Sequence, residues 1–376
     1  MLLLHDERFS GWSVRERLTR HHFSLRYLEL CRGFGWNPSL YCFHQSIREM
    51  RVYRSKRLGT IKIFPVRFRF PPFLRFGNDH NPTAVWREML LDLPDLVHFH
   101  HYYLFSFPYT AWLVKRRLKR PLTTQLHGYY HPPKQWMFWP CLLMLRKANR
   151  ILYSYKPEES LYRRLGVLDR AHRIPFPGVD PSLFQPGRRR ASDRLLCVGR
   201  IPLPGGGERF PHLLLPILRN LLRHRRELTL TFVGDGPGLA YCRWLASRLG
   251  VWEHVSFDGY VPHAELPRYY QTSLMTLVPL GVYDVDGWFD GVIQESLACG
   301  TPVVAFKAYG KGGKGTFGYL LTKDPNRAAD ELLTLLDALE EVEELAEKGS
   351  RFIHAHCMEG RIARELRDVW EGLVKG

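Results

Sequence analysis

From residue 195 onward, short unbroken apolar runs alternate with longer stretches whose apolar positions recur at helical spacing. Residues 195–199, 228–233, 255–257, 274–279 and 302–306 read as strands, and residues 210–222, 238–249, 264–270 and 291–299 as helices. Strands that are apolar along their whole length belong in a parallel sheet covered on both faces, with ligands at the strands' carboxyl ends. The first half repeats this alternation less cleanly. Strands are expected at residues 1–4, 39–43, 60–66, 96–99, 122–126 and 151–153, and helices ending at Arg32 and covering 109–118 and 158–165. On a regular strand His98 and His100 share one face and Phe99 takes the other. The turn-rich, charged stretch 177–192 separates the halves, so two α/β units are expected.

Composition narrows the class. A chain of 376 residues with 45% apolar content is globular and long enough for two sizeable cores. Its 7 cysteines are scattered without a CxxC pair, which disfavours a disulfide framework or a thiolate metal site and fits a reducing, cytoplasmic compartment. Met1–Leu4 runs straight into charged residues, so no signal peptide is expected, and the longest apolar run, 136–145, is about half a membrane span. Charge is the sharper clue. Residues 1–190 hold 33 Lys and Arg against 13 Asp and Glu, whereas residues 191–376 hold 21 against 24. The first half therefore suits an anionic partner. Its basic residues cluster at Arg48, Arg51, Arg54, Lys56 and Arg57 and again from Lys115 to Arg120, with aromatic runs at 70–76 and 136–139. That combination predicts peripheral attachment to the cytoplasmic face of an anionic membrane. Single-stranded nucleic acid is the rival partner, suggested by Arg67-Phe68-Arg69-Phe70 and Tyr129-Tyr130, but the chain carries no nucleic-acid-binding motif and none is expected to bind.

The densest candidate chemistry lies in Asp290-Gly291-Val292-Ile293-Gln294-Glu295, a capped helix start leading to the strand at 302–306. Gly291 lets a ligand approach the backbone, the first helical amides suit a diphosphate, and Glu295 lies one turn further in, where a carboxylate accepts from sugar hydroxyls. Gly199-Arg200 and Gly234-Asp235-Gly236 follow the first and second strands of this half.

Together with His98-Phe99-His100, Thr124-Gln125-Leu126-His127-Gly128, the connector 174–180, Val198-Gly199-Arg200, 232–237 and 257–262, this segment resembles glycosyltransferase family 4. The likeness is strong from about 174 to 376, looser from 91 to 173 and weak before that. It implies the GT-B fold: two Rossmann-like domains facing each other across a cleft, an acceptor domain at 1–178 joined by a C-terminal helix at 355–376, and a nucleotide-sugar domain at 190–354. It implies a retaining transferase that needs neither metal nor cofactor and takes a UDP- or GDP-sugar as substrate. The basic first half adds the expectation of a glycan, lipid-linked or phosphate-bearing acceptor. His127 would sit beside the reacting centre, Arg200 on the diphosphate and Glu295 on the ribose. Gly11, Gly234, Tyr260, Val261, Asp290, Gly291, Val292 and Ile293 would complete the donor site. The chain also departs from the family. The first of the paired glutamates falls on Gly287, with Asp286 and Asp290 as substitutes, and the phosphate lysine falls on Gly206, with Arg209, Lys311 and Lys314 as replacements. Epimerase and phosphorylase activities share the fold and remain alternatives, as does a soluble acceptor.

Overall fold

The computed structural model describes the whole chain except residues 6–13, 20–22, 45, 66–81, 101–105, 126–138, 176–177, 188–192, 206–208, 289, 309 and 376. It divides into two compact units, Met1–Ile174 with Ile362–Gly376, and Pro175–Arg361.

The first unit is built on strands β1 (Leu2–His5), β2 (Ser39–His44), β3 (Arg51–Ser55), β4 (Gly59–Pro65), β5 (Val97–His100), β6 (Leu122–Gln125), β7 (Arg150–Tyr153) and β8 (Ala171–Arg173). Their order is β3-β4-β2-β1-β5-β6-β7-β8, parallel except that β3 runs antiparallel to β4. The short, exposed β3, with Arg51 and Arg54, was not anticipated because it lacks the apolar run of the inner strands. Its helices are α1 (Val14–Thr19), α2 (Phe23–Gly33), α3 (Pro82–Asp92), α4 (Ser106–Leu113), α5 (Trp139–Leu145) and α6 (Glu159–Leu165). The helix expected over 109–118 is α4 followed by a π-helical turn, Val114–Leu118, that ends on Lys119 with φ 54°. Phe99 packs on Phe107 in a core shared with α3, α4, α5 and α6. His98 and His100 take the other face, against Tyr27 of α2 and Trp370.

The second unit has strands β9 (Arg194–Val198), β10 (Thr229–Val233), β11 (Val255–Gly259), β12 (Met275–Val282), β13 (Val303–Lys307), β14 (Gly313–Lys314) and β15 (Tyr319–Leu321), in the order β11-β10-β9-β12-β13-β15-β14. Only β14 runs antiparallel to its neighbour. Its helices are α7 (Leu214–Leu221), α8 (Leu239–Arg248), α9 (Leu266–Gln271), α10 (Gly291–Ala298), α11 (Pro325–Asp337) and α12 (Leu339–His356). Leu195 and Cys197 belong to one core with α7, α8 and α11, and Leu196 and Val198 to another with α9, α10 and α12. This alternation is the burial on both faces that the unbroken apolar strands require.

Two boundaries differ from the sequence reading. Residues 178–184, expected to be linker, fold onto the second unit: the Gly178 amide donates to Gln294 Oε1 at 3.1 Å, and Phe184 is fully buried. The last helix, expected over 355–376, is α13 (Glu359–Lys375), and residues 355–356 belong instead to the end of α12. Met358 forms a strand-like bridge with Val179, and Val179 accepts the Glu359 amide (2.9 Å) while donating to Cys357 O (2.9 Å). Those backbone groups cannot also continue a helical ladder, so the chain breaks there. No described helix is long and apolar enough to cross a membrane.

Candidate active site

The carboxyl edge of the second sheet begins with two interlocked loops. Gly199 N donates to Val233 O (2.9 Å), Ile201 N to Asp235 O (3.0 Å) and Gly238 N to Ile201 O (2.9 Å). A Cβ on Gly234, Gly236 or Gly238 would overlap the carbonyl oxygens of Gly199, Ile201 and Pro202 respectively. These glycines let two backbones touch. Gly234, a candidate donor-site residue, gives its own N–H to Gly259 O at 2.7 Å. The same contact fixes the loop that carries Arg200, which is exposed and has no side-chain partner among the described residues.

Next to these loops, α10 starts on Asp290, whose φ of 68° lies in the left-handed region. Asp290 Oδ1 accepts from Val292 N at 3.0 Å and its carbonyl from Gln294 N at 3.1 Å, so it caps the helix. Its other carboxylate oxygen accepts from Arg209 Nη2. Arg209 is held by an antiparallel bridge to Leu280 and by the bond from Phe210 N to Pro279 O (2.9 Å). Its Nη1 is buried with no hydrogen-bond partner among the described residues, near Gly199. Among the three candidate cations, Arg209 is the one that meets Asp290.

Glu295, a turn inside α10, is mostly buried. Tyr270 OH donates to Oε2 at 2.8 Å, and His263 Nε2 lies 2.8 Å from Oε1. Burial first, and then the Glu295 charge, raises the Tyr270 pKa and keeps the phenol a donor. Phe184 packs against both the His263 and Tyr270 rings. His263 and Tyr270 escaped the sequence reading; the available signal was two hydrogen-bonding rings on the segment that precedes β12. Gln294 Nε2 donates to Gly287 O (3.1 Å) and Trp288 O (3.3 Å), tying the loop before α10 to the helix.

The remaining candidates are scattered. Gly291 and Val292 are half-buried at the start of α10, and Ile293 is core. Tyr260 is 44% exposed and Val261 packs on the core. Lys311 is exposed beside β14. Lys314 lines an open cavity of about 360 Å³ with Lys307 and Asp284. Asp284, in the loop expected near the sugar, accepts from Thr316 N at 2.7 Å and so fastens the β14–β15 hairpin. His127, Gly11 and Gly206 lie outside the described residues. His98 and His100 are fully buried, and His98 Nδ1 lies 2.8 Å from Thr123 Oγ1. No group of three metal-ligating side chains occurs among the described residues.

A family model described as Glycosyltransferase Family 4 matches residues 28–183, and one described as Glycosyl transferases group 1 matches residues 192–338. The chain belongs to glycosyltransferase family 4. A D-inositol 3-phosphate glycosyltransferase of Thermobifida fusca is 36% identical over 57% of this chain and 54% of its own length. A GDP-mannose-dependent alpha-(1-6)-phosphatidylinositol monomannoside mannosyltransferase of Mycolicibacterium smegmatis is 33% identical over 36% of this chain and 38% of its own. The chain thus spans about half, or less, of the curated relatives it matches most strongly. Anabaena HepE in complex with UDP superposes with a TM-score of 0.70 at 15% identity over 99% of both chains. Sucrose-phosphate synthase from Thermosynechococcus elongatus superposes at 0.67 and 16% identity, covering 99% of this chain and 98% of that one. These likenesses establish the GT-B fold.

Within this family 4 chain, the position of the missing first glutamate is structural. Gly287 has φ 74°, and a Cβ there would press on Phe352 and Ile353 of α12. A glutamate would need both a strained backbone and a few tenths of an ångström of give in those two side chains. Of the two substitute carboxylates flanking this gap, Asp286 accepts from Trp288 N at 3.1 Å, and Asp290 is committed to Arg209 and the α10 cap.

Proposed function

We propose that the chain is a retaining glycosyltransferase that binds a nucleotide sugar at the carboxyl edge of the second sheet and transfers the sugar to an acceptor bound by the first unit. The observation that carries this reading is Glu295, held by two hydrogen-bonding rings inside a helix whose first turn adjoins Arg209, with Arg200 unpaired on the neighbouring loop. Breaking the glycosidic bond leaves charge on the departing nucleoside diphosphate. Arg200, Arg209 and the first amides of α10 are donors of the kind that stabilise such charge, and in this reading transfer survives chelation of divalent metal. Glu295 accepts from the ribose hydroxyls. Retention follows a same-face course in which the leaving phosphate takes the acceptor's proton. UDP and GDP donors are both supported by relatives, through the HepE complex and the GDP-mannose-dependent enzyme.

Calorimetry with UDP and GDP tests the donor site. Arg200→Ala should weaken whichever nucleotide binds by about tenfold or more, since it removes a charge-assisted hydrogen bond. Unchanged affinity in both Arg200→Ala and Glu295→Ala would sink the assignment.

The acceptor in this reading bears phosphate or is lipid-linked, as the inositol phosphate and phosphatidylinositol names of the relatives suggest. One observation favours a surface-bound acceptor. Tyr109 and Trp112 of α4 and Trp139 of α5 are about half exposed, and the π-helical turn after α4 carries Lys115, Arg116 and Arg117. Half-exposed aromatics beside cations suit the interface of an anionic leaflet. Co-sedimentation should show salt-sensitive binding to anionic vesicles and none to neutral ones; equal partition would leave a soluble acceptor.

A further inference from the structure

We propose that the Asp290 carboxylate occupies the position of a donor phosphate and sets the chain's affinity for its donor by competing for Arg209 and the first amides of α10. The inference rests on the donor reading above and deepens it.

Asp290 holds a backbone conformation that glycine adopts freely and an L side chain rarely takes, with φ 68°. What the chain gains there is a carboxylate bound as a phosphate would be, with one oxygen on the Val292 amide and the other on the Arg209 guanidinium. The Asp290 side chain is 7% exposed, so the charge is committed to these two partners. Arg209 is left half-used: Nη2 meets Asp290, while Nη1 is buried without a hydrogen-bond partner among the described residues. A phosphate, with three oxygens, satisfies both prongs at once.

Arg209 has little freedom to serve both anions separately, because its backbone is bridged to Leu280 and the next amide is bonded to Pro279 O. An incoming diphosphate therefore meets a guanidinium already neutralised and a carboxylate of like charge. Binding must displace Asp290 from Arg209, and donor affinity is lowered by the work of parting the pair. Arg200, unpaired and exposed on the adjoining loop, is free to make the first contact. A substitution at Asp290 should accordingly strengthen anion binding, the opposite of what removing a ligand-binding side chain does.

The test measures UDP, GDP and inorganic pyrophosphate binding by calorimetry to the full chain and to Asp290→Gly and Asp290→Asn. Glycine suits the positive φ and is a tolerated helix cap. Asparagine keeps a cap oxygen and removes only the charge, so it serves if the glycine variant misfolds. Both variants are expected to bind about tenfold tighter than the parent, and Arg209→Met should cost far more affinity in the Asp290→Asn background than alone. Equal or weaker binding by the variants, with UDP or GDP still bound by the parent, overturns this inference and leaves the donor reading standing. Tighter pyrophosphate binding without any nucleotide binding keeps the anion competition and removes the nucleotide reading. Absence of binding for all three probes in every protein ends both.

Discussion

At the carboxyl ends of β9 and β10 the second unit brings two loops together backbone to backbone, with Gly234, Gly236 and Gly238 leaving no room for a side chain. Along β5 and β6 the first unit buries polar side chains instead. His98, His100, Thr123 and Gln125 lie fully buried, with Tyr27 and Trp370 against them. The buried carboxylates diverge in the same way. Glu295 has a donor on each oxygen, whereas Glu158, at the start of the helical segment after β7, is hydrogen-bonded by Tyr162 through one oxygen and leaves the other without a partner. The second unit thus fixes its edge by backbone geometry and paired charges. The first unit tolerates buried polar groups that titrate out of their ordinary range, so the two should respond differently to mutation and to pH.

The largest expected effect is at the interlocked loops. Gly234→Ala forces a Cβ into the Gly199 carbonyl at φ 144°, and should destabilise the protein by roughly 4 kcal/mol or more in urea melts. Wild-type stability would mean that the two loops separate freely and that the contrast between the units is overstated.

The pH dependence comes next, with Glu158 and His98 of the first unit as its leading groups. Burial pushes the Glu158 pKa up to about 8 from 4.5, outweighing the Tyr162 hydrogen bond and the Arg173 charge. Folded Glu158 holds its proton more tightly than unfolded, so its contribution is complete below pH 4.5 and is lost as pH rises through about 8. Burial pushes His98 down to about 3 from 6.5, so its contribution is present above pH 6.5 and fades as pH falls towards 3. Glu158→Gln should flatten the alkaline loss, an effect on the order of 3 kcal/mol between pH 5 and pH 9. Denaturant midpoints across that range check it; an unchanged slope would mean that Glu158 gains solvent or a partner in solution.

A smaller effect is expected around Glu295. Tyr270→Phe removes one of its two ring donors and should lower stability by about 1 kcal/mol while weakening nucleotide binding several-fold. A stability loss with unchanged nucleotide affinity would make the Tyr270 bond purely structural. The smallest is the counterpart to Gly234 in the first unit. Gly166 ends α6 at φ 65° with nothing within 4 Å of an added Cβ, so Gly166→Ala should cost about 1 kcal/mol, the backbone penalty alone. A loss as large as at Gly234 would erase the distinction between open and crowded glycines.

Where candidate site residues were legible in the sequence, the signal was local. Arg200 follows an apolar strand, and Glu295 follows a capping residue at helical spacing, so each could be placed from its neighbours. His263 and Tyr270 lie 32 and 25 residues before Glu295, and Arg209 lies 81 before Asp290, so no local pattern connects them. The glycines at 234 and 236 were visible as special, but their purpose was not. A bare backbone is equally suited to a phosphate and to another backbone, and only the packed loops show that Gly199 and Ile201 are the neighbours.

By itself the sequence determined the two parallel sheets and their apolar strands, because strand and helix periodicity are properties of adjacent residues. Tertiary structure alone decided the edges and the pairings: β3 as an exposed antiparallel edge, the break between α12 and α13 at Val179, and the union of Asp290 with Arg209. The reason is physical. A buried backbone group or charge takes whatever partner the fold brings within hydrogen-bonding distance, and that partner can lie anywhere along the chain.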